Sequence, residues 1–331
     1  MKRFFVLALL LCLALTAPVR AEALTTNGGV AFSAADLAYC TADEGVPAVY
    51  YTDAISPEAL VDAYAALGIA LPGRVGVKMS TGESERSNFL RPALIGDLVR
   101  LVNGTIVECN TAYGGNRAST AMHRQQARDN GLTDIAELDI LDEDGSMELA
   151  VEGGLRLRVD YVGSHFADYD SFLVLNHFKG HAMAGFGGAI KNLSIGFGSA
   201  EGKVWIHSGG TRTDGGIWGE TDPFLEAMAD AAKAVDRAMG GSIAYISVLN
   251  RLSVDCDCDG SPAEPDMHDI GILASADPLA IDQAAIDLVY AMPDSENLVR
   301  RIESRNGLHT LEAGEANGLG SRYYRLVPLG D

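Results

Sequence analysis

Positive charge is scarce in this chain. Its 331 residues carry 25 lysines and arginines against 45 aspartates and glutamates, a formal net charge of −20. A surface that grips nucleic acid or an anionic membrane needs basic patches, so this balance argues against both as main partners. It leaves room for a small basic pocket inside an acidic shell. Cysteine is scarce too: five residues are too few for a disulfide scaffold at this length. No Cys-x-x-Cys-x-x-Cys run occurs, and a ferredoxin-type [4Fe-4S] cluster usually needs four thiolates, so none is expected. Beyond the amino terminus no apolar run is long enough to span a bilayer. With 47% hydrophobic and 21% charged residues, the composition is nonetheless that of a globular protein rather than a disordered one.

The amino terminus reads as a secretory signal peptide over residues 1–21. Lys2 and Arg3 form a basic start, Phe4 to Leu15 is apolar, and Val19 and Ala21 supply the small residues of a cleavage site. The expectation is an exported protein, periplasmic or extracellular, soluble after cleavage. Residues 22–331 would then form one domain, with a division into two lobes near 140–176 as a further expectation. In an oxidising compartment a Cys40–Cys109 bridge is compatible with the sequence, which does not decide it.

Apolar runs alternate with amphipathic stretches. Strands are expected at Ala48–Thr52, Arg74–Met79, Thr105–Cys109, Leu155–Val159, Phe172–Asn176, Ile243–Leu249, Ile270–Ala274 and Tyr323–Val327. Helices are expected to begin at Pro57, Pro92, Ser119, Pro223, Pro278 and Glu296, several with a capping residue or a proline in the first turn. This alternation predicts an α/β fold, a mostly parallel sheet with helices on both faces. In such sheets ligands bind beyond the carboxyl ends of the strands.

The polar residues gather at those ends. Asn176 to Asn192 holds His177, Lys179, His181, Gly185, Gly187, Gly188, Lys191 and Asn192. Glycines let backbone approach a ligand, and amides at a helix start, with lysines beside them, can cradle phosphate or carboxylate. The segment is neither a Walker loop nor a dinucleotide fingerprint, because the required Gly-Lys-Ser/Thr and final glycine are absent. Glu83 follows the second strand. Asn110, Tyr113, Arg117 and His123 follow the third, where Asn and Arg can clamp an anion. Cys256 and Cys258 lie among Asp255, Asp257 and Asp259. A Cys-x-Cys closes a ring on itself only with strain, whereas a divalent cation such as zinc or iron would neutralise the carboxylates and deprotonate both thiols. His181 and His268 are the nearest candidates to complete that set.

Together these segments resemble the family called domain of unknown function 362, uncharacterised iron–sulfur-centre proteins. The residues that carry the resemblance are Lys78, Gly82-Glu83, Arg91-Pro92, Asn110, Tyr113, Arg117 and His123. Phe178-Lys179-Gly180-His181, Gly185 to Asn192, Gly202-Lys203 and His207 follow, then Asp255 to Cys258, Asp269 to Ala274 and Asp277 to Asp282. Many members carry a ferredoxin insert between the region of His207 and the next helix. Here Ser208 to Pro223 contains no cysteine, so this chain has the family's core without that electron-transfer module. The resemblance supports pairing the His181 block with the Cys256–Cys258 block.

The resulting expectation is a metal-assisted or redox enzyme acting on a small anionic substrate. His181, Lys179 and Lys191 would be catalytic, and Gly185, Gly187, Gly188, Asn192, Asn110, Arg117 and Glu83 would bind the ligand. Cys256, Cys258 and His181 would hold the metal. The alternative is a binding protein for a small anion or a metal ion, without catalysis.

Overall fold

The computed structural model describes residues 23–330; the expected signal peptide lies outside them. In chain order, β1 (Leu24–Thr25) and β2 (Ala31–Phe32) form a short ribbon. β3 (Ala48–Thr52), α1 (Pro57–Ala66), β4 (Val75–Lys78), α2 (Pro92–Leu101), β5 (Thr105–Glu108), α3 (Thr120–Asp129) and β6 (Leu138–Ile140) follow. Next come the hairpin β7 (Ser146–Ala150) and β8 (Val159–Gly163), then β9 (Ser171–His177) and a tight hairpin, β10 (Lys179–His181) and β11 (Gly185–Gly187). α4 (Ala189–Phe197), α5 (Ala200–His207) and α6 (Thr221–Ala238) precede β12 (Ile243–Leu249) and β13 (Gly271–Ser275). The chain ends with α7 (Pro278–Ala291), α8 (Glu296–Ser304), α9 (His309–Asn317) and β14 (Arg325–Pro328).

Eight strands form the central sheet in the order β14-β3-β13-β12-β9-β4-β5-β6. All its ladders are parallel except the two made by β13, which is antiparallel to β12 and to β3. A parallel neighbour needs a crossover, usually helical, whereas the chain from β12 to β13 turns back through an irregular loop over residues 250–270. Successive side chains of β9 point to opposite faces. Phe172 and Val174 join the core beneath α4, α6 and α7, while Leu173 and Leu175 join the core beneath α1, α2 and α3. Every residue of β9 and β12 is buried, as expected of strands covered on both faces. The helix starts follow their caps: Ser56 accepts the Ala59 N–H ahead of α1, and Asp277 accepts those of Leu279 and Ala280 ahead of α7.

Several elements differ from the sequence reading. Leu155–Val159 is not a strand over most of its length. The amides of Leu155, Arg156 and Leu157 donate to the buried Asp230 carboxylate on α6 instead of to a neighbouring strand. The glycine-containing stretch 189–207 forms two helices, and α9 was not expected at all. The range 140–176 carries the β7–β8 hairpin, while β6 before it and β9 after it belong to the same sheet. Among the described residues no helix is long and apolar enough to cross a membrane.

Asp230 also accepts from Asn317 of α9, so one buried carboxylate fixes a loop and a helix. Asp230→Ala strips three amides and one side-chain amide of their acceptor. The expected loss is about 3 kcal/mol of unfolding free energy, read from the denaturant midpoint, since each buried orphan donor costs about 1–3 kcal/mol.

Candidate functional site

The parallel strands β4, β5 and β9 end on one edge of the sheet, at Lys78, Glu108 and His177. Lys78 is fully buried, donates to Asn192 Oδ1 at 2.8 Å, and lies 4.0 Å from Glu108. Burial pushes its pKa down to about 8 against the pull of Glu108. Glu108 accepts from the Thr81 amide and hydroxyl and from Arg117. Burial pushes the Glu108 carboxyl up, but Arg117, Lys78 and His123 outweigh it and hold the pKa well below its ordinary value. Arg117 is bracketed on its other side by Glu83 at 2.9 Å and by the Tyr113 hydroxyl.

The β9–β10 segment supplies the second group. His177 contacts Asp257 Oδ1 at 2.8 Å, and Lys179 donates to Asp257 Oδ2 at 2.9 Å and to the His177 carbonyl at 2.6 Å. Burial works against an ionised Asp257, but Lys179 and His177 outweigh it and keep its pKa below the usual carboxylate range. β10 lies directly on the cysteine loop: the Gly180 amide donates to the Ser253 carbonyl, and a Cβ on Gly180 would sit 2.3 Å from the Val254 oxygen. Only glycine permits that approach.

His181 ends β10. Its Nδ1 accepts the amides of Ala184 at 2.9 Å and Met183 at 3.2 Å. Burial first, then Lys191, His207, Lys179 and Arg301, hold its pKa far below the ordinary value, so the ring is neutral with its proton on Nε2. Facing it are Cys256 and Cys258, joined to each other as a disulfide. One donor atom from each of His181, Cys256 and Cys258 lies within 4.8 Å of the other two, a group with the spacing to hold a metal ion.

These groups wall a cavity of about 230 Å³, whose lining also includes Lys191, Lys203, His207, Ile195 and Trp218. The side-chain nitrogen of Lys191, on α4, has no hydrogen-bond or salt-bridge partner among the described residues. Burial, with Lys179 nearby, pushes its pKa down to about 7. His207 donates from Nδ1 to the Lys203 carbonyl at 2.6 Å, which leaves Nε2 as an acceptor, and burial pushes its pKa down to about 4.

Several expectations change. The Cys-x-Cys does close on itself. Two of the three aspartates around it find partners within the protein: Lys179 and His177 hold Asp257, and Arg301 reaches Asp255 at 3.1 Å. Cys40 and Cys109 are free. The Cys40 backbone pairs with that of Tyr324 beside β14, whereas Cys109 follows β5, five strands from β3, which is on the order of 20 Å. His268 pairs with Asp294 rather than joining the cysteines.

The anion cradle at the start of α4 is filled from within: Asp282 of α7 accepts the Ala189 and Ile190 amides at 2.7 and 2.9 Å. Burial pushes the Asp282 pKa up to about 7. Gly188 stands against that carboxylate, and Gly187 gives space to Lys179 and Lys191. Gly185, at φ +80, turns the β10–β11 hairpin against Ile302 and Gly307. Asn192 spends its side chain on Lys78, Asn176 and two carbonyls. Asn110 and Glu83 do not line the cavity. Asn110 bonds Thr120, and Glu83 holds Arg117 and the Asn116 amide. Arg117, Lys179 and Lys191 all reach the same cavity wall. Individual motifs gave no signal for Glu108 as a member of this wall, since it matters through Arg117, Lys78 and Thr81.

The architecture is that of an α/β protein with a buried, cation-rich cavity at the carboxyl edge of its sheet. The family model described as "Domain of unknown function (DUF362)" matches residues 75–287, and the chain belongs to that family. No curated protein matches the chain. Among solved structures it is similar to the lactate racemase apoprotein from Thermoanaerobacterium thermosaccharolyticum, at 14% identity and a TM-score of 0.45 over 81% of this chain. It is also similar to a protein from Thermotoga maritima, at 12% identity and a TM-score of 0.40 over 80% of this chain. The chain spans 61% and 60% of the length of those two structures.

Glu108→Gln removes the charge that balances Arg117 and Lys78. At pH 7 it should cost about 3 kcal/mol, the scale for breaking one partner of a buried pair. Because the folded-state pKa lies below the ordinary 4.5, the stabilisation exists above that value and fades as pH falls beneath it. Urea titrations of both proteins should therefore converge below about pH 4.5; a gap that stays constant with pH would contradict the assignment.

Proposed function

We propose that the cavity binds a small anionic substrate and that the protein acts on it as a redox or metal-assisted enzyme. The observation that carries this reading is Lys191, a cation facing the cavity with no partner among the described residues. The other cations on the wall are held: Lys179 by Asp257, Arg117 by Glu108, and Lys203 by the Gly198 carbonyl. A neutral His181 adds an Nε2–H donor beside it, and His207 offers an acceptor. Those three groups suit a small carboxylate, phosphate or sulfonate carrying one further donor. A volume of about 230 Å³ is below the usual range for drug-sized ligands and so favours a small one. Lys191 would hold the negative charge, His181 would donate to an oxygen that gains charge, and His207 could take a proton. The leader-like first 21 residues suggest export, and an oxidising compartment suits a bridged Cys256–Cys258.

The test is binding of inorganic phosphate and small carboxylates by calorimetry. Lys191→Ala should weaken the best of them about tenfold or more, the scale of one charge-assisted hydrogen bond. Equal affinity in the variant would remove the reading.

A second reading, capture of a metal ion without chemistry, is favoured by the convergence of His181, Cys256 and Cys258. The donor set fits zinc or iron only after reduction, because bridged sulfurs are not thiolates. His181 would also have to give up the two amides at Nδ1 to ligate through Nε2. The bridged protein should therefore contain no stoichiometric zinc or iron by elemental analysis. The reduced protein should take up zinc, and Cys258→Ser should lose it. One tightly held equivalent in the bridged form would contradict this.

A further inference from the structure

We propose that the Cys256–Cys258 pair is a working thiol–disulfide couple whose exchange partner is a small anionic thiol, admitted through the Lys191 cavity. This rests on the small-anion reading above and names the substrate class.

Three observations carry it. The pair lines the cavity rather than stapling distant segments. In the chain-entropy account, a bridge stabilises by restricting the unfolded chain, and that effect grows with loop length. One residue separates these cysteines, so stability is a weak reason for the bond. Next, the two sulfurs are inequivalent. Cys256 is buried at 5% exposure, whereas Cys258 is half-buried, and the Cys258 amide donates to Cys256 Sγ at 3.1 Å. Negative charge that develops on Cys256 therefore has a donor already in place. Finally, the intervening Asp257 is clamped by His177 and Lys179. That clamp fixes the backbone around both cysteines while the bond opens.

The chemistry balances as an exchange. A thiolate RS⁻ held at Lys191 attacks Cys258 Sγ. The Cys256–Cys258 bond breaks, its electron pair stays on Cys256 Sγ, and that sulfur takes a proton from solvent. A second RS⁻ attacks the substrate sulfur of the mixed disulfide, which releases RSSR and leaves the Cys258 thiolate. Two thiols are oxidised to one disulfide, and the protein pair is reduced by two electrons. In reverse, the reduced pair reduces a small anionic disulfide.

The experiment compares two small thiols at equal thiolate concentration, 2-mercaptoethanesulfonate and the neutral 2-mercaptoethanol, on the full bridged protein. Opening of the bridge is read by alkylation and intact mass. The sulfonate should open it at least about tenfold faster, the scale of one charge-assisted contact. Inorganic phosphate should slow the sulfonate, and Lys191→Gln should bring its rate down to that of the neutral thiol. In Cys256→Ser the sulfonate's oxidised dimer should leave a mixed disulfide on Cys258. In Cys258→Ser the buried Cys256 should form far less. If phosphate binds but neither thiol opens the bridge, the couple is overturned and the anion site stands. If both thiols open it equally and phosphate changes nothing, both readings fall.

Discussion

Asp257 is the residue on which the site depends. It sits between the two cysteines, almost wholly buried, and accepts from His177 and Lys179 through its two oxygens. Its carbonyl accepts the Glu83 amide, Glu83 holds Arg117, and Arg117 holds Glu108. Glu108 in turn lies beside Lys78, which donates to Asn192. One continuous polar chain thus runs from the cysteine loop across the ends of β9, β4 and β5. Desolvating an isolated charge is costly, and a buried pair offsets that cost only with good geometry and additional hydrogen bonds. Each member is therefore held by two neighbours, and the loop over residues 250–270 is ordered although it lacks regular secondary structure over most of its length.

The same constraint explains the contrast between inside and outside. A chain with a net charge of −20 gathers Lys179, Lys191, Lys203 and Arg117 around one cavity, opposed there mainly by Glu108 and Asp257. A cleft with low-dielectric walls concentrates the field of an excess cation. The acidic exterior repels large polyanions, while a small anion that reaches the opening meets positive potential. On the proposed reading, size and charge would together favour a small ligand.

Much of the fold was legible because its signals are local. Ser56-Pro57 and Asp277-Pro278 announce helix starts in four residues, and the runs at 172–176 and 243–249 announce buried strands. The site was legible in part, because Lys191, His181 and the cysteines lie in dense polar blocks at strand ends. What sequence could not reveal is which groups would already be spent. The helix start at Ala189 has the look of an open cradle, yet it is filled by Asp282, which lies almost a hundred residues further on. Lys179 and Lys191 are equivalent on paper, but only the first finds Asp257. Three aspartates around two thiols suggest a missing cation, yet Asp257 is held by Lys179 and His177, and Asp255 by Arg301. Each outcome depends on long-range partners that no local pattern encodes.

The two cavity histidines carry the argument one step further. His181 receives amide protons on Nδ1 and so presents a proton on Nε2. His207 gives its Nδ1 proton to the Lys203 carbonyl and so presents a lone pair on Nε2. Burial keeps both rings neutral by lowering their pKa values. Backbone groups, which do not titrate near neutrality, therefore fix two identical side chains in opposite tautomers. The result is a cavity with the Lys191 amine, a donor and an acceptor of set polarity before any ligand enters. Preorganised polarity of this kind need not reorient when charge moves during reaction, and catalysis draws on that saving where simple capture does not. That fixed polarity is the physical ground on which the proposed reading prefers chemistry to simple capture.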